Sequence, residues 1–483
     1  MTPIRLLRTL TAVAVTLVLA AVATGPASAQ APKTTPKPAA PAPVYFPERF
    51  DWQTRSATEV GMDLARIDEA VQFVIANENP ATKDLAVDLA TTFGAREPFD
   101  TPIGPVKDRG GANGLIVRHG YVVAEWGETS RVDMTFSVTK TFLSTVVGLA
   151  WQKGLIRSVN DLARDYMPVP GYFEGHNATI TWDHLLRQTS DWQGTLWGKP
   201  DWADRPEGAT PADWPNRKLS EPGTRFKYND TRVNLLALLA LHVWRRPLPV
   251  VLREEVMDPI GASSTWRWHG YENSWVEIDG QRIQSVSGGG HFGGGMFIHA
   301  RDMARFGYLF LRNGKWKDRQ IVSPEWMAMA RTPGKANAQY GFMNWYLNTG
   351  RKGLPVVPES SVMFVGNGQN IIYIDWENDL VVVTRWIRGG SALNDFLGKV
   401  LVAITRATTM VTSSCCRALP QKASSSAMNS RWRSPAARCL LPTSRPAALA
   451  SPNSSPDSLS ASVRPSVKAS RRSPGASAST PSA

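Results

Sequence analysis

Ser137 and Lys140 stand three residues apart in the run Phe136-Ser137-Val138-Thr139-Lys140-Thr141-Phe142. On a helix that spacing stacks one side chain above the other on a single face, so an amine can take the proton of a hydroxyl. A serine in the first turn of such a helix has a backbone N–H with no intrahelical acceptor, and the positive end of the helix favours charge developing on a carbonyl oxygen. Lys140, flanked by Phe136 and Phe142, is expected to be partly desolvated, which lowers an amine's pKa and suits it to act as a base. That chemistry is nucleophilic acyl transfer. A capping serine beside a snorkelling lysine uses the same two residues, so the pair alone does not decide.

Two further segments bear on the choice. Tyr228 lies in Glu221-Pro222-Gly223-Thr224-Arg225-Phe226-Lys227-Tyr228-Asn229-Asp230, just ahead of an apolar helical run. Its phenol can exchange protons if neighbouring cations depress its pKa; a tyrosine packing at a helix start is the plainer alternative. Phe364-Val365-Gly366-Asn367-Gly368-Gln369-Asn370 precedes a β-rich hairpin. Its glycines let a strand edge run close to a ligand and present a backbone N–H, or simply make a turn.

The elements that must position these residues follow from periodicity. Residues 62–75 carry Leu64, Ile67, Ala70, Val71 and Val74 at helical spacing. Residues 114–126 read as a hairpin turning at His119-Gly120. Residues 141–155 have no charge before Lys153 and suit a helix buried on most sides, and 234–244 a second one. Residues 371–374 and 380–386 form another hairpin, and a helix over 393–405 follows it. Strands near both ends of this body, paired in one antiparallel sheet with helices packed on it, give an α/β (α+β) architecture.

Composition bounds the rest. The 483 residues carry a net charge of +13. Ten Lys/Arg against one acid in 408–483, and four Lys/Arg with no acid in 1–43, account for all of it. The body from Val44 to Ala407 is therefore neutral, unlike a binder of nucleic acid. Residues 1–29 have the form of an export signal: Arg5 and Arg8, an apolar stretch from Leu10 to Ala23, then Ala27-Ser28-Ala29 as a cleavage site. The apolar run is short for a membrane anchor, so a periplasmic or secreted protein without a stable membrane span is expected. Residues 30–43 form a Pro/Ala-rich linker. From 408 onward the chain is Ser, Ala, Pro and Arg with Trp432 as its sole aromatic, which reads as a disordered tail or the product of a shifted reading frame. All three cysteines (Cys415, Cys416, Cys439) lie there, leaving the body without disulfides or thiolate metal ligands.

Taken in order, these motifs resemble the serine β-lactamase and penicillin-binding-protein superfamily, in its class C-like branch of esterases, D-peptidases and nylon-oligomer hydrolases. Residues 180–190, Gly293-Gly294-Gly295-Met296 leading into 300–306, and Tyr340-Gly341 share that look. The resemblance implies a β-lactamase/transpeptidase-like fold: an antiparallel sheet flanked by helices plus a mostly helical subdomain. It implies Ser137 as acylated nucleophile, Lys140 as its proton partner and Tyr228 as the shuttle to the leaving group. Backbone N–H groups of Ser137 and Asn367, beside Gly366, would form the oxyanion hole, and Asp230 would stand where β-lactamases hold a substrate amide with Asn. Phe364-Val365 lacks the cation and hydroxyl that grip a β-lactam carboxylate, so the expected substrate is a small ester, amide or short peptide and no cofactor is called for. A true class C-like β-lactamase, a D-Ala-D-Ala carboxypeptidase and a catalytically idle penicillin- or peptidoglycan-binding sensor are the alternatives.

Other features are weighed against this reading. Ser190-Asp191-Trp192 imitates a Ser-Asp-Asn motif but sits in structural surroundings. No Gly-x-Ser-x-Gly elbow occurs. The seven histidines lack paired zinc spacing; His184 is expected in the core, and His291, inside 288–295, either reaches the cleft or is a loop histidine. The glycine run 288–295 is expected to have neither a preceding strand nor a downstream acid, which argues against a nucleotide role. Trp192, Trp197, Trp202, Trp214, Trp266, Trp268 and Trp275 supply either an aromatic wall for the cleft or ordinary packing.

Overall fold

The computed structural model describes residues 44–405; the expected export signal, the linker and the tail with its cysteines lie outside them. The principal elements are helix α1 (Leu64–Ala76), strands β1 (Asn113–Arg118), β2 (Tyr121–Trp126) and β3 (Asp133–Met134), helices α2 (Thr139–Gln152) and α3 (Asp230–Trp244), strands β4 (Arg267–Ile278), β5 (Gln281–Val286) and β6 (Gly295–Ile298), helix α4 (Ala300–Leu311), strands β7 (Tyr346–Leu347), β8 (Val362–Gly366), β9 (Asn370–Asp375) and β10 (Leu380–Arg385), and helix α5 (Ala392–Val402).

Hairpins from the two ends of the body meet in one sheet. Its strand order is β7-β8-β9-β10-β1-β2, antiparallel throughout. The joining register runs from Asn113 opposite Arg385 to Arg118 opposite Leu380. Because strand side chains alternate, Leu115, Val117, Ile372, Ile374, Val381 and Val383 enter one core with α2 and α4. Ile116, Ile371, Tyr373 and Val382 enter the other with α1 and α5. With both faces covered, the middle positions of the central strands are apolar on both faces, which is why they read as β-rich runs rather than as alternating ones.

Helix α2 is buried over almost its whole length and packs with α3 in the larger core. It starts two residues before the expected point and ends at Gln152, just ahead of Gly154 at φ 75. Helix α3 starts four residues early because Asn229 caps it, its side chain accepting from the N–H of Arg232.

A second sheet, β3-β6-β4-β5, pins the approach to α2. Thr135 N–H donates to the Met296 carbonyl, and Met296 N–H donates to Thr139 Oγ1. The buried Arg385 guanidinium, at the end of β10, donates to the carbonyls of Met134 and Ile298 and to Asn370 Oδ1, at 2.6–2.7 Å. Burial lowers its pKa to about 10. One arginine thus locks the main sheet to the peptide leading into Ser137. Among the described residues no single helix is long and apolar enough to cross a membrane.

Candidate active site

Ser137 occupies a short 3-10 turn, Phe136–Val138, that feeds directly into α2. Phe136 is held at φ 49, an uncommon conformation for an aromatic residue and one that tends to gather at functional sites. Ser137 is partly exposed, whereas Lys140, one turn on, is completely buried. Lys140 Nζ donates to Ser137 Oγ at 2.8 Å and to Asp230 Oδ1 at 2.7 Å. The ring set over its ammonium is Tyr228, 4.6 Å from the centroid. Phe142, expected to help shield Lys140, stacks instead on Phe306 in the core. Burial lowers the pKa of Lys140, with Asp230 opposing the shift.

Tyr228 enters from the segment that Asn229 ties down: Asn229 N–H donates to Gln188 Oε1, and its Nδ2 to the carbonyl of Asp201. The expectation that cations depress the Tyr228 pKa is overturned. Burial and then Asp230 raise it well above the ordinary phenol value, outweighing Arg205. Tyr228 is therefore a protonated phenol, suited to donate. Tyr346 of β7 lines the same cleft and is raised in the same way, by burial first.

Asp230 lines the cleft but is also held in a buried ion-pair cluster. It is buried, and burial alone would raise its pKa, but Lys140, then His291 and Arg205, hold it well below the usual carboxylate range. Arg205 Nη1 lies 3.3 Å from Asp230 Oδ2 and also bonds Asp204, which in turn accepts from the Asp230 N–H. His291 pairs with Glu97 at 2.6 Å and lies 3.9 Å from both Asp204 and Asp230. Glu97, Asp204 and His291 hold ligand-type atoms within 4.8 Å of one another, a grouping that the scattered histidine spacing concealed. Two buried aspartates, Asp191 and Asp201, clamp Arg217 and Arg232 at 2.7–3.2 Å and so fasten the 191–217 stretch, which carries Arg205, to α3.

Backbone proximity explains two glycines. A Cβ on Gly289 would collide with Asp230 Oδ1 and Lys140 Nζ, so the 288–295 run closes over the ion pair rather than over a nucleotide. A Cβ on Gly366 would collide with the Thr135 carbonyl, so the end of β8 lies directly against the peptide leading to Ser137. Gly289→Ala is expected to destabilise the fold by about 1–3 kcal/mol and to reduce turnover by displacing Lys140, measured by thermal melting and steady-state kinetics.

These groups line a cleft of about 450 Å³ whose walls include Phe93, Phe136, Ser137, Arg205, Phe226, Tyr228, Asp230, His291, Tyr346 and the turn Gly366–Gln369. Ser137 and Asn367 thus face one cavity, and Asn370 Nδ2 holds the Asn367 carbonyl at 2.6 Å. No tryptophan lines it: Trp192, Trp266 and Trp268 are buried in the core, and phenylalanine and tyrosine supply the aromatic wall. His291 is part of this wall, not a free loop side chain. His184, expected in the core, helps cap a short helix and lines a second cavity of about 390 Å³ that shares Phe226 and Asn337 with the cleft. A larger cavity, about 700 Å³, opens by Tyr45 and Tyr121; Arg312 there pairs with Asp379 and Lys317 with Glu48. Ser190 is buried, its Oγ accepting from the Trp192 N–H.

An antiparallel sheet whose strand end abuts a serine at the foot of a buried helix, with lysine and tyrosine converging on it, defines a β-lactamase/transpeptidase-like protein. The Beta-lactamase family model matches residues 100–394, and the chain belongs to that family. Among solved structures it is similar to a beta-lactamase from Mycobacterium bovis (19% identity, TM-score 0.43, covering 61% of this chain and 95% of that one). It is also similar to a family VIII carboxylesterase (15%, 0.47, 71% and 99%) and to a penicillin-binding protein homolog from Caulobacter crescentus (12%, 0.43, 67% and 98%). No curated protein matches the chain.

Proposed function

We propose that this protein is an exported serine hydrolase that cleaves an ester, amide or peptide bond through an acyl-enzyme on Ser137. The observation that carries the reading is the 2.8 Å contact between Ser137 Oγ and a fully buried Lys140, with the Tyr228 phenol in the same cleft. In its unprotonated form Lys140 takes the Ser137 proton as Oγ bonds to the substrate carbonyl carbon. The resulting oxyanion sits between the N–H groups of Ser137 and Asn367. On collapse the carbon–leaving-group bond breaks, the leaving group takes the proton of Tyr228, and Lys140 returns a proton to the phenol. Water then attacks the acyl ester, releasing the acid and restoring Ser137.

The wall opposite favours substrates other than β-lactams. Phe364 is buried in the core, and the cleft-facing residues that follow it, Val365 to Gln369, offer no cation for a β-lactam carboxylate. Export rests on the N-terminal sequence pattern. Incubation with a serine-reactive fluorophosphonate, followed by peptide mass mapping, is expected to place one adduct on Ser137. No adduct there, in protein with a normal melting transition, leaves the idle-binder alternative. In a panel of short-chain esters, D-Ala-D-Ala peptides, aminohexanoate oligomers and a chromogenic cephalosporin, the cephalosporin is expected to be the poorest substrate, and rapid turnover of it overturns the assignment of bond type.

A further inference from the structure

Arg205 is the one arginine on the wall of the cleft, and its guanidinium is used on one edge only. Nη1 is occupied by Asp204 and Asp230, and the plane lies over the Tyr228 ring at 4.9 Å and near Phe93 at 6.0 Å. Nε and Nη2 bond no acceptor among the described residues, and neither is sealed from solvent; the side chain is 37% exposed. A guanidinium clamped through Nη1 therefore keeps two donors without a protein acceptor at the wall of the cleft that holds Ser137. Its own charge is already balanced by Asp204 and Asp230, with Glu97 close behind. Such a fork rewards a neutral oxygen acceptor, whereas a carboxylate placed there meets three buried carboxylates. The adjoining cavity past Phe226 and Asn337 gives a chain room to continue, and Asn337 Nδ2 at that junction bonds no acceptor among the described residues.

We infer that Arg205 is a specificity-determining residue, and that the cleft selects uncharged chains bearing a second carbonyl near the scissile one, as in an oligoamide, peptide or oligoester. This rests on the acyl-enzyme reading. Three p-nitrophenyl esters of equal chain length test it, one with a methylene, one with an amide carbonyl and one with a carboxylate at the same position. In the intact protein the carbonyl ester is expected to exceed the methylene ester in kcat/KM by about tenfold, through KM, with the carboxylate ester below the carbonyl one. Arg205→Met is expected to bring the carbonyl-to-methylene ratio to about one, and Arg205→Lys to keep part of it. Because the ratio is read within each variant, any general loss from disturbing Asp230 cancels. Equal kcat/KM for carbonyl and methylene esters in the wild type, a ratio unchanged in Arg205→Met, or a preference for the carboxylate ester overturns the inference while hydrolysis persists. Failure of all three esters together with no fluorophosphonate adduct removes the underlying reading instead.

Discussion

Ser137→Ala is expected to lower kcat by roughly 10⁴-fold or more on any substrate the wild type turns over, and to abolish covalent labelling. Nothing else at the site reproduces its role. Ser137 is the partly exposed hydroxyl at the foot of α2, and Lys140 points one of its donors at it. Stability is expected to change little, within about 1 kcal/mol, because the only side-chain partner lost is that lysine, which keeps Asp230. Kinetics, intact-mass labelling and a melt on the same preparation separate loss of the nucleophile from loss of the fold. A variant with residual turnover near the wild type would remove Ser137 from the mechanism.

Asp230→Asn is expected to act in a different way. Asp230 carries the negative charge that favours protonated Lys140 against the pull of burial, which lowers its pKa. Removing that charge lowers the lysine's pKa further, so the ascending limb of kcat/KM against pH is expected to move toward lower pH. The maximal rate is expected to fall by about ten- to a hundredfold, because the amine is no longer held in place. Stability changes with a definite sign. The folded-state pKa of Asp230 lies below its unfolded value, so its contribution is complete above the ordinary carboxylate value, about 3.9, and is lost as pH falls through the folded value. The gap in melting temperature between wild type and Asp230→Asn is thus expected to be wide at pH 7 and to narrow below about pH 4. Asp230→Ala leaves an ammonium buried without a partner and is expected to cost about 3–5 kcal/mol. A limb that stays in place or moves toward higher pH would dissociate Asp230 from Lys140.

The parts of the site legible in the sequence are those fixed by local spacing. Ser137 and Lys140 sit within one helical turn, and Tyr228 precedes an apolar helical run, though that helix, capped by Asn229, starts at Asp230, four residues ahead of the reading from periodicity. The sheet was legible because its central strands carry continuous apolar runs, Leu115 to Val117 and Leu380 to Val383. What spacing does not encode is which loops converge. Glu97, Arg205 and His291 come from three stretches with no periodicity, and only the folded chain brings them around Asp230. The sign of the Tyr228 shift was missed for a related reason. Nearby cations can be read from sequence, but the depth of burial that outweighs them cannot. The tryptophans were ambiguous because a large core and a binding cleft recruit the same side chain.

The pairing of β1 with β10 has a consequence for biogenesis. Until Arg385 has been synthesised, β1 and β2 are an isolated ribbon, a form of marginal stability in water, and the carbonyl of Met134 has no guanidinium to hold it. Closing so long a loop comes late in assembly. A nascent or truncated chain that stops before the last hairpin carries Ser137 and Lys140 yet lacks the strands and the guanidinium that hold the peptide leading to them, so the arrangement at the foot of α2 is completed only with the final strands.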